Sequence, residues 1–245
     1  MKEGGAKLAG VLEKLLATAE PGVTLLEIDA RAKELIKKAG GTPSFQTVSG
    51  YTWATCLCVN DVIVHGVPTK YVLRAGDVLT VDVGLLYKGL HTDTAWTKIV
   101  GEPEAQAEPK VKTFLRVGEK ALWDAIAQAQ VGNRIGHISH AIQTSIEEAG
   151  YSVMRTLIGH GIGTELHEAP QVPGFVSGSI AKTMELKSGM TLAIEAIYAM
   201  GKKDVIYETG DGWSIATKDG SLAAVFEHTI AVTPEGPVLL TTVGN

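Results

Sequence analysis

The sequence predicts an α+β fold assembled twice, and two internal correspondences and one recurring oddity predict it. Residues 21–40 (PGVTLLEIDARAKELIKKAG) align without a gap on residues 131–150 (VGNRIGHISHAIQTSIEEAG). Further along, 73–82 (LRAGDVLTVD) aligns in the same order on 186–195 (LKSGMTLAIE). The oddity is that both of these later segments carry an apolar, strand-like run onto an acid, Asp82 in one and Glu195 in the other. A buried carboxylate is costly unless something compensates it. Two helices followed by antiparallel strands, repeated, predict a single domain over 1–245 with pseudo-symmetric halves of about 1–108 and 109–245 and a shared site between them.

Each element has its own signal. Residues 3–19 and 110–129 space their apolar positions by three and four and read as the first helix of each half. In the second helices Gly22 matches Gly132, Ile28 matches Ile138 and Ile36 matches Ile146, and Gly40 and Gly150 supply the stops. Thr24 with Glu27 forms a capping-box pattern in the first copy. The stretch VLTVDVGLLYKGLHTDTAW (78–96) reads as a hairpin turning at Tyr87-Lys88-Gly89, with Asp82 directly opposite Asp93 and Leu79, Val81, Val83 and Leu85 on the other face. WSIATKDGSLAAVFEHTIAV reads as a second hairpin turning at Asp219-Gly220, which places Glu227 on its returning strand as Asp93 is on the first.

Composition removes several classes of function. With 245 residues, 45% of them hydrophobic, the chain can bury a sizeable core. A net charge of −5 and no run of Lys or Arg interleaved with aromatics argue against nucleic acid and anionic membranes as partners. No signal peptide or membrane span is read, since the N-terminus carries charges throughout and TLAIEAIYAM contains a glutamate; the expected location is the cytoplasm. Cys56 and Cys58 sit too close along one strand for an unstrained disulfide and are read as thiols.

The acids carry the chemistry. Opposed carboxylates raise one another's pKa unless a cation lies between them. Four of them, Asp82, Asp93, Glu195 and Glu227, carry the charge that two divalent cations neutralise, and carboxylates bridging a metal pair are an arrangement that activates water in hydrolases. Structural calcium is disfavoured because no EF-hand loop is present and histidines accompany the acids. GHGIGTELHEAP (159–170) supplies His160 and His167 in a glycine-rich stretch, and NDVIVHGVP supplies His65. His91, His137, His140 and His228 read as bland, with His228 pointing away from the face of Glu227. Neither a nucleophile elbow nor a phosphate-binding loop is present, and Cys56 has no evident activating partner.

Taken together, NDVIVHGVP, LTVDVGLLYKGLHTDTAW, GHGIGTELHEAP, MTLAIEAIY, GWSIATKDG and FEHTIAVT resemble the type I methionine aminopeptidases of the pita-bread fold over almost the whole chain. The resemblance implies metal-dependent removal of N-terminal methionine from nascent polypeptides, with a small second residue preferred. Asp82, Asp93, His160, Glu195 and Glu227 would be the ligands of two divalent metal ions (Mn, Fe, Co or Zn), with Asp93 and Glu227 bridging. His65 and His167 would contact the substrate, Glu195 would shuttle the proton, and Tyr51, Cys56, Trp213, Phe45 and Leu166 would form the methionine pocket. The same resemblance implies a monomer in transient contact with the ribosome, without an N-terminal zinc-finger extension. Leu166, Ala196 and Thr92 depart from the family's usual aromatic, proline and glycine. The alternatives are an Xaa-Pro aminopeptidase or dipeptidase of the same fold, and a pita-bread binding module without catalysis.

Overall fold

Helices form where the spacing predicts them. In a computed structural model that describes residues 1–101, 108–207 and 210–242, α1 (Lys2–Thr18) and α2 (Leu25–Ala39) precede the first strands, and α3 (Pro109–Ala127) and α4 (Ile135–Glu147) precede the second set. Residues 102–107, next to the expected boundary between the halves, lie outside the described residues. The capping box of α2 is present: Glu27 donates its N–H to Thr24 Oγ1 at 3.2 Å, and Thr24 donates its own to Glu27 Oε2 at 2.7 Å. Helix α4 lacks that pair, and His137, read from sequence as bland, takes the role instead by accepting the Arg134 N–H on Nδ1 at 2.9 Å.

The duplication extends to backbone bonds that sequence alone does not show. Gly22 and Leu25 donate to the carbonyls of Leu73 and Tyr71, and Gly132 and Ile135 donate to those of Leu186 and Met184. Each half thus ties the start of its second helix to the segment entering its acid-bearing strand. Gly40 (φ 84°) and Gly150 (φ 84°) end the second helices in the left-handed region that glycine adopts without penalty.

The strands are β1 (Thr42–Pro43), β2 (Thr55–Val59), β3 (Val62–Val64), β4 (Val78–Tyr87), β5 (Leu90–Ile99), β6 (Ser152–Val153), β7 (Ile158–Gly161), β8 (Glu168–Pro173), β9 (Thr191–Ala199), β10 (Val205–Tyr207), β11 (Ile215–Thr217), β12 (Ala223–Thr233) and β13 (Gly236–Leu239). One antiparallel sheet runs β1-β4-β5-β12-β9-β7-β8, with β2, β13 and β6 paired at its sides, and a small sheet runs β10-β11-β3. Leu79, Val81, Val83 and Leu85 pack beneath α1 and α2, while Leu192, Ile194, Ala196 and Phe226 pack beneath α3 and α4. Each of the larger side chains here, Val, Leu, Ile or Phe, contributes about 1.5–3 kcal/mol when fully withdrawn from water. The acids occupy the other face, as period-two alternation requires.

Two expectations about register need correction. Asp82 pairs with Ala95, and Asp93 pairs with Gly84, so the two acids share a face but sit diagonally rather than directly opposed. The cause is a two-residue turn at Lys88-Gly89, with Tyr87 opposite Leu90 and positive φ at both turn residues (52° and 78°). The second correction concerns Asp219-Gly220: a turn forms there, but β11 joins β10 and β3, whereas β12 pairs with β9, β5 and β13. The carboxylate of Asp219 accepts the Lys202 and Ser221 N–H groups, anchoring this turn to the segment after β9. The ladder partner of Glu227 in β9 is Glu195, matching Asp82 with Ala95 in the first half, so Asp93 stands two residues away from the position equivalent to Glu227.

Close helix-to-sheet packing depends on Gly118. A Cβ on this residue of α3 would lie 2.3 Å from the Tyr198 hydroxyl, which donates to the Phe114 carbonyl at 2.6 Å. Gly118→Ala is therefore expected to destabilise the protein by about 1–3 kcal/mol despite alanine's better helix propensity. An unchanged midpoint in urea unfolding would show that α3 can shift to admit the methyl.

Candidate metal centre and active site

Five strands from both halves deliver the acids and a histidine to one place. Asp82 comes from β4, Asp93 from β5, His160 from β7, Glu195 from β9 and Glu227 from β12. Donor atoms of Asp93, His160 and Glu227 all lie within 4.8 Å of one another. His160 Nε2 stands 3.7 Å from Glu195 Oε1, and Glu195 is the direct cross-strand neighbour of Glu227. The structure therefore brings together all five side chains that the sequence singled out as ligands.

The protein supplies little to compensate these charges. Asp93, His160 and Glu227 are buried, and Asp82 Oδ1 and Glu227 Oε1 have no hydrogen-bond partner among the described residues. An orphaned buried acceptor ordinarily costs about 1–3 kcal/mol and calls for an explanation. Burial raises every one of the four carboxyls. It lifts Asp93 to about 7, and it pushes Asp82 and Glu227 well above the carboxylate range, assisted by repulsion from the neighbouring acids. Glu195 is raised by burial and then by Asp93. His160 moves the other way, to about 4, because burial disfavours its cation. Its Nδ1 lies 2.9 Å from the Gly161 carbonyl, so a proton there leaves the Nε2 lone pair facing the acids. Carboxylate oxygens without partners and one imidazole nitrogen fit divalent cations, and Mn, Fe, Co and Zn all accept such a set.

The seam between β5 and β12 is built largely from hydroxyls. Backbone pairing there is limited to Glu227 with Ala95 and His228 with Thr94. On one side Thr229 Oγ1 accepts the Asp93 N–H at 2.9 Å and donates to the Asp93 carbonyl at 2.7 Å. On the other, Thr97 Oγ1 accepts from Val225 N at 3.1 Å and donates to its carbonyl at 2.7 Å. Thr94 Oγ1 donates to the Glu227 carbonyl at 2.8 Å. These side chains fix the strand that carries Asp93 against the strand that carries Glu227. His228 does point away from Glu227, packing between Trp96 and Trp123 at ring distances of 5.8 and 5.4 Å.

A cavity of about 360 Å³ opens over the acids, lined by every candidate site residue: the five above, and also Phe45, Tyr51, Cys56, His65, Leu166, His167 and Trp213. His167 crosses the ring of His160 at 4.4 Å. Tyr51 is the centre of the apolar wall, edge-on to Phe45 at 6.4 Å and to Trp213 at 5.1 Å. The wall approaches the sheet closely at Gly84, where a Cβ would lie 2.7 Å from Ser44 Cβ. His91, read as bland, lies behind this wall with Nδ1 2.9 Å from Ser44 Oγ. Sequence reading missed further lining residues of the cavity: Val48, Val64, Thr156, Leu157, Ile158 and Ile197. Ile197 was readable as two residues on from Glu195 and so on the same face, whereas Thr156 and Leu157 precede β7 without any periodic signal.

This architecture and donor set define a metallopeptidase of the pita-bread fold, and the chain belongs to metallopeptidase family M24, whose sequence profile matches residues 1–234. Within the family it is similar to proteins named methionine aminopeptidase. Methionine aminopeptidase 1 of Bacillus subtilis is 40% identical over 243 residues, covering 99% of this chain and 95% of that protein. The crystal structure of methionine aminopeptidase from Thermotoga maritima superposes with a TM-score of 0.93 at 40% identity, covering 99% of this chain and 95% of that one. A prolidase from Pyrococcus furiosus shares the fold at a TM-score of 0.78 and 21% identity, with this chain covering 63% of its length. No described helix is long and apolar enough to cross a membrane.

Proposed function

We propose that the whole chain acts as one catalytic domain that removes the N-terminal methionine from nascent polypeptides and peptides with a small second residue, using two divalent metal ions. The observation that carries this reading is the convergence of Asp82, Asp93, His160, Glu195 and Glu227 beneath an apolar-walled cavity, with two buried carboxylate oxygens left without partners. Asp93 and Glu227, contributed by different strands and with donor atoms within 4.8 Å of each other, would be the ligands shared by both cations.

Divalent cations held by this set would supply Lewis acidity at the scissile carbonyl and a water nucleophilic near neutral pH. The chain's own groups do the rest. Glu195, beside His160 and across the ladder from Glu227, takes the proton from the attacking water and returns it to the departing amine. His167 and His65, facing the cavity, donate hydrogen bonds to the carbonyl oxygen as it gains charge. Phe45, Tyr51, Cys56, Leu166 and Trp213 receive the methionine side chain, whose unbranched thioether suits an aromatic and sulfur-lined wall.

The purified protein supplied with Mn, Fe or Co is expected to release methionine from Met-Ala-Ser and to leave Xaa-Pro substrates intact. The prolidase reading would be favoured by the reverse preference, and the non-catalytic reading by inactivity with every divalent metal.

A further inference from the structure

Outside the cavity, the apolar face of α2 carries one charged group at the protein interior. Asp29 lies among Leu25, Ile28 and Ala32 and is 3% exposed. Its Oδ2 meets Lys33 Nζ at 2.7 Å. Its Oδ1 accepts three hydrogen bonds: from the N–H of Ala54 at 2.7 Å, the N–H of Thr55 at 3.1 Å and the hydroxyl of Thr55 at 3.0 Å. Thr55 begins β2, so the carboxylate holds the point at which an irregular segment enters the sheet.

That irregular segment is the wall of the cavity. The Tyr51 hydroxyl donates to the Thr55 carbonyl at 2.8 Å and lies 3.3 Å from Cys56 Sγ. Within the segment, Tyr51 N–H donates to the Val48 carbonyl and Gln46 Nε2 donates to the Thr52 carbonyl, both bonds being local. Asp29 is thus the charged anchor, twenty-five residues distant in sequence from Ala54, that connects this wall to a helix. A negatively charged acceptor makes shorter and stronger bonds to backbone N–H groups than a neutral one.

We propose that Asp29 is a positioning residue for specificity: through Ala54, Thr55 and the Tyr51 hydroxyl it sets the depth of the pocket that takes the substrate's first side chain. The proposal rests on the reading that this cavity binds that side chain. A looser wall weakens contacts made equally in the ground and transition states, so it raises KM with little change in kcat.

The test is steady-state kinetics of the metal-loaded full chain on Met-Ala-Ser and on its norleucine and leucine analogues. Asp29→Ala is expected to raise KM for Met-Ala-Ser about tenfold with kcat within about threefold of the parent, and to narrow the preference for methionine over leucine. Asp29→Asn, which keeps an acceptor at Oδ1, is expected to restore KM to within about threefold, and Lys33→Ala to leave it unchanged. If Asp29→Ala does not fold, Thr55→Val, which removes only the hydroxyl bond, reads the same shift at about threefold. A folded Asp29→Ala or Thr55→Val protein of lowered Tm but parental KM and parental methionine preference would show a purely structural role and overturn the proposal. An inactive parent would overturn the functional reading as well, and so differs from failure of the positioning role alone.

Discussion

Asp93→Asn is expected to lower kcat/KM by roughly 10³-fold or more, equivalent to about 4 kcal/mol of transition-state stabilisation, while the protein keeps its fold. The expected loss follows from where Asp93 stands. One of its oxygens lies within 4.8 Å of donor atoms of His160 and Glu227, and in the proposed reading an amide would offer a neutral and weaker ligand in place of a charge shared between cations. The fold survives because Asp93 is held by its main chain, which Thr229 clasps at both N–H and carbonyl. Its Oδ1 also accepts the Thr94 N–H at 3.0 Å, a bond that asparagine can keep. Removing one of several crowded negative charges relieves repulsion in the metal-free protein, so its Tm without metal should equal or exceed that of the parent. The stabilisation by added Mn should shrink, because ligand linkage scales with affinity. Calorimetric Mn titration alongside the peptidase assay separates these effects. Full turnover by the variant with metal bound would contradict a bridging role for Asp93.

The site was legible in the sequence wherever a local rule was broken. Asp82, Glu195 and Glu227 interrupt apolar runs of strand-forming residues, and an acid on such a strand needs a partner. The repeat then indicated that acids from both halves share that partner. What was not legible depended on geometry that no single segment encodes. The diagonal offset of Asp82 and Asp93 follows from the turn choosing Lys88 as well as Gly89 for positive φ, an uncommon conformation for lysine. The Asp219-Gly220 signal marked a real turn, but tertiary pairing sent its two strands to different sheets. The threonine seam was hidden because Thr94, Thr97 and Thr229 read as ordinary strand residues until two distant strands are placed side by side. His137 as a cap and His91 as a support for Ser44 were likewise invisible, since either role requires knowing which group faces the ring.

The same crowding of buried acids predicts that the stabilisation conferred by metal grows with pH. A carboxyl whose folded pKa exceeds its unfolded value binds more protons when folded, so its contribution is present below the unfolded pKa and is lost as pH rises through the folded one. Asp93, raised by burial from 3.8 to about 7, places that loss between about pH 4 and pH 7, and Asp82, Glu195 and Glu227 are raised in the same direction. His160 and His228 oppose it: burial lowers both from 6.5 to about 4, so stability is lost as pH falls through that interval. The two slopes partly cancel below pH 6.5, leaving the region above it governed by the carboxyls. Metal-free protein should lose stability over that region as Asp93 and the acids raised beside it ionise. With saturating Mn the carboxylates are held in the charged form at every pH in the window, and the metal no longer has to displace protons as pH rises. The gap in Tm between Mn-loaded and chelator-treated samples should therefore widen steadily from pH 6 to pH 8. Asp93→Asn, with one fewer acid to titrate, should flatten the metal-free curve. A gap independent of pH would mean that these carboxyls are already ionised in the metal-free fold, and that some compensation other than a bound cation keeps four acids together.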